Sequence, residues 1–291
     1  LLNAYFCGVE KNMHPLVRHI REALHGVYAD AEALSLAKML LVEVFGFSTL
    51  ELYAGKDRSF SEKEQELLDD IVCRLQKHEP IQYIIGRENF MGLVFHVDEN
   101  VLIPRPETQE LVEWMVEDHQ SDEHCRILDI GTGSGCIPIA LAHFLKGAQV
   151  EAWDISAGAL EVARQNAVSN QVRVQFREQD VFSATPSSSS YDVIVSNPPY
   201  ITEQEKADME ANVLDWEPSI ALFVPDSDPL LFYRKIAELG LEMLVTGGSL
   251  YFEINRAYGA MMKSMLENMG YRYVELRKDM FGNDRMIKAI K

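Results

Sequence analysis

The stretch of this sequence whose residue types and spacing best fit a chemical task is Asn197-Pro198-Pro199-Tyr200. It follows Tyr191-Asp192-Val193-Ile194-Val195-Ser196, an apolar run that reads as a buried strand. Two consecutive prolines end that strand, because neither can donate a ladder hydrogen bond. Asn197 is left at the strand's carboxyl end, where open α/β sheets bind ligands. A planar amide or aromatic amine is a poor nucleophile, since its lone pair is delocalised into the π-system. Methylating such a nitrogen calls for acceptors aimed at its N–H groups, so that density returns to it. The Asn197 side-chain oxygen and the Pro198 carbonyl offer two acceptors on a backbone that proline stiffens, and the Tyr200 ring can flank a planar group. No lysine, histidine or cysteine nucleophile is required. A strand that merely ends in a turn would also use Asn-Pro-Pro.

A second constellation lies upstream. Ile127-Leu128-Asp129-Ile130 leads into Gly131-Thr132-Gly133-Ser134-Gly135 and then a helix start. Glycines let a backbone approach a ligand closely and take positive φ. The spacing is G-x-G-x-G, not the G-x-G-x-x-G of dinucleotide folds, and alone it is also compatible with a plain strand-to-helix turn. Asp154 ends the next strand, where a carboxylate can accept both hydroxyls of a ribose. Asp180 closes the third strand region and is followed by Val181 and Phe182, an acid between apolar walls that suits an adenine amine. Either acid alone is equally a solvated strand end; the glycine loop and two successive acids together point to a nucleoside site.

The elements that must position these residues alternate in type from His124 onward. Strands are expected at 126–130, 149–154, 172–177, 191–196, 249–254, 271–276 and 284–290, and helices at 136–146, 157–168, 228–246 and 256–269. That rhythm gives an α/β fold, a seven-stranded, mostly parallel, Rossmann-like sheet with helices on both faces. Only a short connection containing Gly282-Asn283 joins the last two strands, so the final strand should run antiparallel. Upstream, residues 1–78 read as a helical domain. Leu16, Ile20 and Leu24 are spaced by four; Leu34, Leu36, Met39, Leu40, Val42 and Val44 make an apolar helix; Ser61 and Glu64 make a capping box ahead of Leu67, Leu68, Ile71, Val72 and Leu75. Residues 79–108 read as a hairpin linker, with Phe90–Val97 as one strand, Val101–Ile103 as its partner or continuation, and a helix beginning near Thr108. Residues 109–291 are then the catalytic domain. Residues 1–12 carry no pattern, and Met13 is the expected natural start. Pro186 and Ser187–Ser190 read as a surface loop.

Composition narrows the classes. The 291 residues are 47% hydrophobic and 25% charged, ordinary for a globular chain. No apolar run approaches the ~20 residues that span a bilayer, and none has the form of a secretion signal. Cys7, Cys73, Cys125 and Cys136 are scattered, which fits reduced thiols in a cytoplasmic setting and argues against a metal site. A net charge of -18 repels phosphate backbones. It suits either a basic protein partner or simple solubility.

The whole pattern resembles class I S-adenosylmethionine-dependent methyltransferases, and more narrowly the HemK/PrmC family, which methylates the glutamine of peptide chain release factors. The marks are Glu79-Pro80-Ile81-Gln82-Tyr83-Ile84, Pro104-Arg105-Pro106-Glu107-Thr108, the Leu128–Gly135 loop, Asn197–Ile201, Glu217-Pro218 and Phe281-Gly282-Asn283-Asp284-Arg285. Gln109 departs from the acid the family often carries after the Thr. The resemblance implies S-adenosylmethionine as cofactor, held by Gly131, Thr132, Gly133, Ser134 and Gly135, by Asp154 at the ribose and by Asp180 and Val181 at the adenine. It implies that Asn197 touches cofactor and substrate, and that Asn197, Pro198, Pro199 and Tyr200 grip the substrate amide, with Asn197, Pro198 and Tyr200 catalytic. The expected product is methylated at N5 of the glutamine. The helical domain is expected to dock the release factor, the protein to act as a monomer, and no metal, membrane or direct nucleic-acid contact is expected. Three rivals share part of the pattern: methylation of a ribosomal-protein glutamine, methylation of adenine amines in nucleic acid, which predicts a basic groove not found here, and a non-catalytic cofactor-binding module.

Overall fold

The computed structural model describes residues 14–54, 58–186 and 190–291. The expected start at Met13, Cys7 and the Ser187–Ser189 part of the serine loop lie outside these residues. The chain divides into two compact units, one running to Gly86 and including Ala211–Trp216, the other formed by Arg87–Glu210 and Glu217–Lys291.

In the first unit the helices are α1 (Pro15–Ala23), α2 (Asp30–Glu43), α3 (Thr49–Ala54), α4 (Glu62–Leu75) and α5 (Ile81–Ile85). Ile20, Leu24, Ala37, Leu40, Leu41, Leu68 and Leu75 are fully buried and form one core. The capping box at α4 forms as read: Ser61 Oγ accepts from Glu64 N at 3.3 Å, and Glu64 Oε2 accepts from Ser61 N at 2.9 Å. On α2 the buried stripe is Ala33, Ala37, Leu40 and Leu41, whereas Met39 is exposed. An all-apolar run cannot tell its inward face from its outward one. Residues 79–86, the start of the stretch read as a hairpin linker, instead contain the short helix α5, which Gly86 ends in the left-handed conformation. Trp216 joins this unit through its indole N–H, 3.0 Å from the Lys77 carbonyl.

The second unit opens with a hairpin that corrects the expected one. Its strands are β1 (Arg87–Phe90) and β2 (Leu93–His96), paired antiparallel, and Val101–Ile103 is not a strand. Met91 and Gly92 both take positive φ, 52° and 78°, as a two-residue hairpin turn requires. Helix α6 (Pro106–His119) begins two residues earlier than expected, with Pro106 in its first turn. The sheet uses β3 (Arg126–Ile130), β4 (Gln149–Asp154), β5 (Val174–Glu178), β6 (Tyr191–Ser196), β9 (Leu244–Glu253), β10 (Arg272–Lys278) and β11 (Asp284–Ile290); β7 (Ile201–Thr202) and β8 (Phe223–Val224) pair apart from it. The strand order is β10-β11-β9-β6-β3-β4-β5, with β11 alone antiparallel to its neighbours, as expected.

Helices α7 (Cys136–Phe144), α8 (Ala157–Ser169), α9 (Ala211–Leu214, in the first unit), α10 (Leu231–Met243) and α11 (Gly259–Met269) complete the chain. Alternation along the strands sorts the core. Leu128, Ile130, Ile194, Leu250 and Phe252 pack with α10 and α11, while Ile127, Val193, Val195 and Tyr251 pack with α6 and α7. Cys73, Cys125 and Cys136 are free thiols, and burial pushes the thiols of Cys125 and Cys136 up to about 12.

Gly135, which caps the start of α7 at φ 81°, has neighbours that would crowd a side chain. An added Cβ would stand 2.9 Å from Ile139 Cδ1 and 3.1 Å from Ala163 Cβ, whereas one at Gly131 would meet nothing within 4 Å. Gly135→Ala is therefore expected to cost about 2–4 kcal/mol in urea unfolding, combining left-handed strain with overpacking. Gly131→Ala should cost only the backbone share, roughly 1–2 kcal/mol. Equal costs for the two variants would contradict the packing account.

Candidate active site

The carboxyl ends of β3, β4 and β6 open into a cavity of about 240 Å³. The parallel register aligns them: Ile130 stands beside Trp153 on one side and Ser196 on the other. Each strand delivers its motif at the same level. Ser196 Oγ donates to the Ile130 carbonyl at 2.6 Å, fixing the end of β6 against the root of the glycine loop. The residues read from sequence as Gly131, Thr132, Gly133, Ser134, Asp154, Asp180, Val181, Asn197, Pro198 and Pro199 all line the cavity. Gly135 lies just behind it, packed on α8. Tyr200 is not in the lining; it is half-buried, with its hydroxyl donating to Glu253 Oε1 at 3.1 Å.

Gly131, Gly133 and Gly135 all have positive φ, at 79°, 52° and 81°. The loop is fastened at its start, where Gly131 N and Thr132 N both donate to the Trp153 carbonyl, at 2.9 and 3.0 Å. Asp154 fastens the middle, accepting from Gly133 N at 2.8 Å and from Ser156 N at 2.9 Å. Each carboxylate oxygen retains a lone pair for a further donor. Burial raises the Asp154 pKa, and the backbone N–H groups of Ser156 and Gly133 oppose that rise. Asp180 Oδ1 accepts from Phe182 N at 2.9 Å, closing a tight turn. That turn presents Val181 and Phe182 to the cavity, with the Phe182 and Phe232 rings 5.1 Å apart.

Several residues of the site were not singled out for a role from sequence. Asp129 is fully buried at the end of β3, and neither carboxylate oxygen has a hydrogen-bond partner, nor has the buried Thr132 hydroxyl. Burial pushes the Asp129 carboxyl up to about 7; Thr132 lies close enough to temper the shift, and the charge of Asp154 adds to it. Glu217 pairs with Arg105 and accepts from Ile103 N at 3.2 Å, so one buried acid holds the Ile103–Arg105 wall of the cavity. Burial raises the Glu217 pKa and the Arg105 charge lowers it. Asn166, 1% exposed, bridges the hairpin to the loop: its Nδ2 donates to the carbonyls of Ser134 at 2.9 Å and His96 at 3.0 Å. Gln109 accepts from Met91 N at 3.3 Å and donates to Glu113 at 2.7 Å. An acid there could make only the first of these bonds.

The link to the Pro-Arg-Pro loop runs through Asn197. Its Nδ2 donates to Thr108 Oγ1 at 3.3 Å, and Thr108 Oγ1 donates to Glu253 Oε2 at 2.5 Å. With its Nδ2 engaged by Thr108, the Asn197 amide has its side-chain oxygen left over as an acceptor, and Asn197 lines the cavity. Sequence spacing carried no signal for this chain, because its members lie 89 and 145 residues apart.

A family model for the PrmC N-terminal domain matches residues 16–86, and one for the Methyltransferase small domain matches residues 107–215. A release factor glutamine methyltransferase of Bacteroides thetaiotaomicron is 52% identical over 278 residues, covering 95% of this chain and 99% of the relative. One of Flavobacterium psychrophilum is 43% identical, covering 92% and 95%. Among solved structures, a methyltransferase from Pyrococcus furiosus matches with a TM-score of 0.51 at 18% identity, covering 80% of this chain and 99% of the other. The hMettl16 catalytic domain, solved with an RNA hairpin, matches with a TM-score of 0.54 at 17% identity, covering 83% and 96%. These two likenesses bear on the fold alone, a class I methyltransferase sheet. Matched in both its helical and its sheet portions, and aligned over more than nine-tenths of its length with relatives named for that activity, the chain belongs to the HemK/PrmC family of S-adenosylmethionine-dependent methyltransferases.

Proposed function

We propose that this protein methylates the side-chain amide nitrogen, N5, of the glutamine in the catalytic loop of peptide chain release factors. One observation carries the reading: Asn197 lines the cavity with its Nδ2 engaged by Thr108, which leaves Oδ1 as an acceptor. In this reading the protein acts in the cytoplasm as a monomer without touching nucleic acid directly, and the helical unit of residues 14–78 docks the release factor. That unit exposes Leu50, Tyr53 and Leu67, which suit contact with a protein partner.

The cavity fits S-adenosylmethionine. A Cβ at Gly131 or Gly133 would meet no protein atom within 4 Å, so the loop keeps open the space a ligand fills. Asp129, a buried acid without a partner at the root of that loop, suits a ligand that brings positive charge. Asp154, with lone pairs left, would accept from the ribose hydroxyls, and Asp180 with Val181 would border the adenine. When bound, the cofactor supplies a methyl group activated by its positively charged sulfur.

The protein's own part is alignment and electrostatics. Asn197 Oδ1 and the Pro198 carbonyl accept the two N–H groups of the glutamine amide, hold its plane and return density to nitrogen. Tyr200, tethered to Glu253, stiffens the turn that carries both acceptors. The amide nitrogen turns acidic only once alkylated, so its surplus proton can leave to water without a dedicated base.

Asn197→Ala is expected to lower turnover by about 10²–10³, the range for a lost oxyanion-hole group. Mass spectrometry of a purified release factor incubated with enzyme and cofactor reads this as loss of the single added methyl on its catalytic-loop glutamine. Near-wild-type turnover would contradict the reading. Asp129 supplies a second test. Its folded pKa of about 7 lies above the ~3.9 of an unfolded Asp. Cofactor-free protein therefore loses stability as pH rises from about 4 to about 7, where the unfolded chain has given up the proton first. Asp129→Asn should raise urea stability at pH 8 by on the order of 1–4 kcal/mol. The gain should fade toward pH 4, while cofactor binding weakens. A gain independent of pH would refute the assignment.

A further inference from the structure

The carboxyl end of β9 holds an acid that the mechanism above uses only as a tether. Glu253 is 1% exposed, and both its oxygens are taken by hydroxyls, Oε2 by Thr108 at 2.5 Å and Oε1 by Tyr200 at 3.1 Å. Burial raises its pKa, against which the Thr108 and Tyr200 hydrogen bonds and the nearby Arg285 charge work. Arg285 is itself held in place by Asp279, 3.2 Å away.

The Thr108 hydroxyl donates to Glu253 Oε2, as it must toward a carboxylate oxygen that carries no proton. The single proton of the Thr108 hydroxyl therefore goes to Glu253, and the Thr108 oxygen is left to accept. What faces it must donate. The amide of Asn197 can meet that demand only with its NH2, which turns Oδ1 to the opposite side, where Asn197 lines the cavity. We propose that Glu253 is a positioning residue that, through Thr108, sets the polarity of the Asn197 amide so that an acceptor and not a donor meets the substrate nitrogen. The proposal rests on the reading of Asn197 Oδ1 as the substrate's acceptor.

The two ends of an asparagine amide have nearly the same shape. Packing alone discriminates poorly between them, and hydrogen bonding must decide. With a neutral group at position 253 the Thr108 proton is free to turn toward Asn197. The flipped amide then sets an N–H against the substrate's N–H, which opposes the transfer. Two of the four residues of the Asn-Pro-Pro-Tyr turn thus answer to one acid 53 residues or more downstream in the sequence.

The test compares Glu253→Gln, Thr108→Val and Thr108→Ser with Asn197→Ala and wild type. It measures kcat and KM with a purified release factor, cofactor Kd by calorimetry, and Tm. Glu253→Gln and Thr108→Val are expected to lower kcat on the order of 10²-fold, as for a misdirected oxyanion-hole group. Cofactor Kd and release-factor KM should stay within about 3-fold, and Thr108→Ser, which keeps the hydroxyl, should return kcat to within about 3-fold of wild type. Wild-type kcat in Glu253→Gln beside a dead Asn197→Ala would overturn the proposal and leave the Asn197 reading standing. Full activity in Asn197→Ala would remove that reading itself. If Glu253→Gln fails to fold, the Thr108 pair decides, and equal kcat in the Val and Ser variants overturns the proposal. A cofactor Kd that weakens in step with kcat would mark a collapsed site and also count against it.

Discussion

The 2.6 Å hydrogen bond from Ser196 to the Ile130 carbonyl joins the two strand ends on which everything at the site depends. It is buried, so neither partner has water as an alternative. It sits where the β3–β6 ladder stops and both chains turn away, one into the glycine loop and the other into Asn-Pro-Pro. Parallel pairing brings the motifs to one level, and this bond keeps them there after the ladder can no longer do so. The relative placement of the glycine loop and of the turn that carries Asn197 is thus set first by the sheet from which both spring.

Three buried acids surround that junction, and each is accommodated differently. Glu217 has a guanidinium partner, Glu253 has two hydroxyls and a nearby Arg, and Asp129 has no hydrogen-bond partner, only the Thr132 hydroxyl close by. An ionised carboxylate taken out of water is costly unless paired. Glu217 holds a wall of the cavity through Arg105, whereas burial pushes the carboxyl of Asp129 up to about 7.

Much of this was legible in the sequence, because period and punctuation are local. The sheet strands, the single reversed strand and the Ser61–Glu64 cap follow from alternation, loop length and a four-residue signature. The glycine loop, Asp154, Asp180 and Asn197 announce themselves by standing at strand ends. Where the reading failed, the deciding information was not local. The β1–β2 turn puts Met91 in the left-handed region, which few non-glycine residues adopt, so the strand pair was placed too late in the chain. The inward face of α2 is drawn by small alanines that an apolar run of larger residues conceals. The Glu217–Arg105 and Thr108–Glu253 pairs span 112 and 145 residues, and no spacing rule reaches that far. Glu253 did offer one clue, an acid closing the run Leu250-Tyr251-Phe252 at a strand's carboxyl end.

The short excursion of Ala211–Trp216 into the first unit has a consequence for how this protein can be taken apart. The chain leaves the sheet-bearing unit after Glu210, lends six residues elsewhere, and returns at Glu217, the very acid that anchors Arg105. No single scissile point separates the two units. A fragment starting after Gly86 would carry an orphaned detour whose indole has lost the Lys77 carbonyl, and the slack would fall one peptide bond from a wall of the cofactor cavity. Gene dissection at the apparent boundary would therefore disturb the half it was meant to isolate.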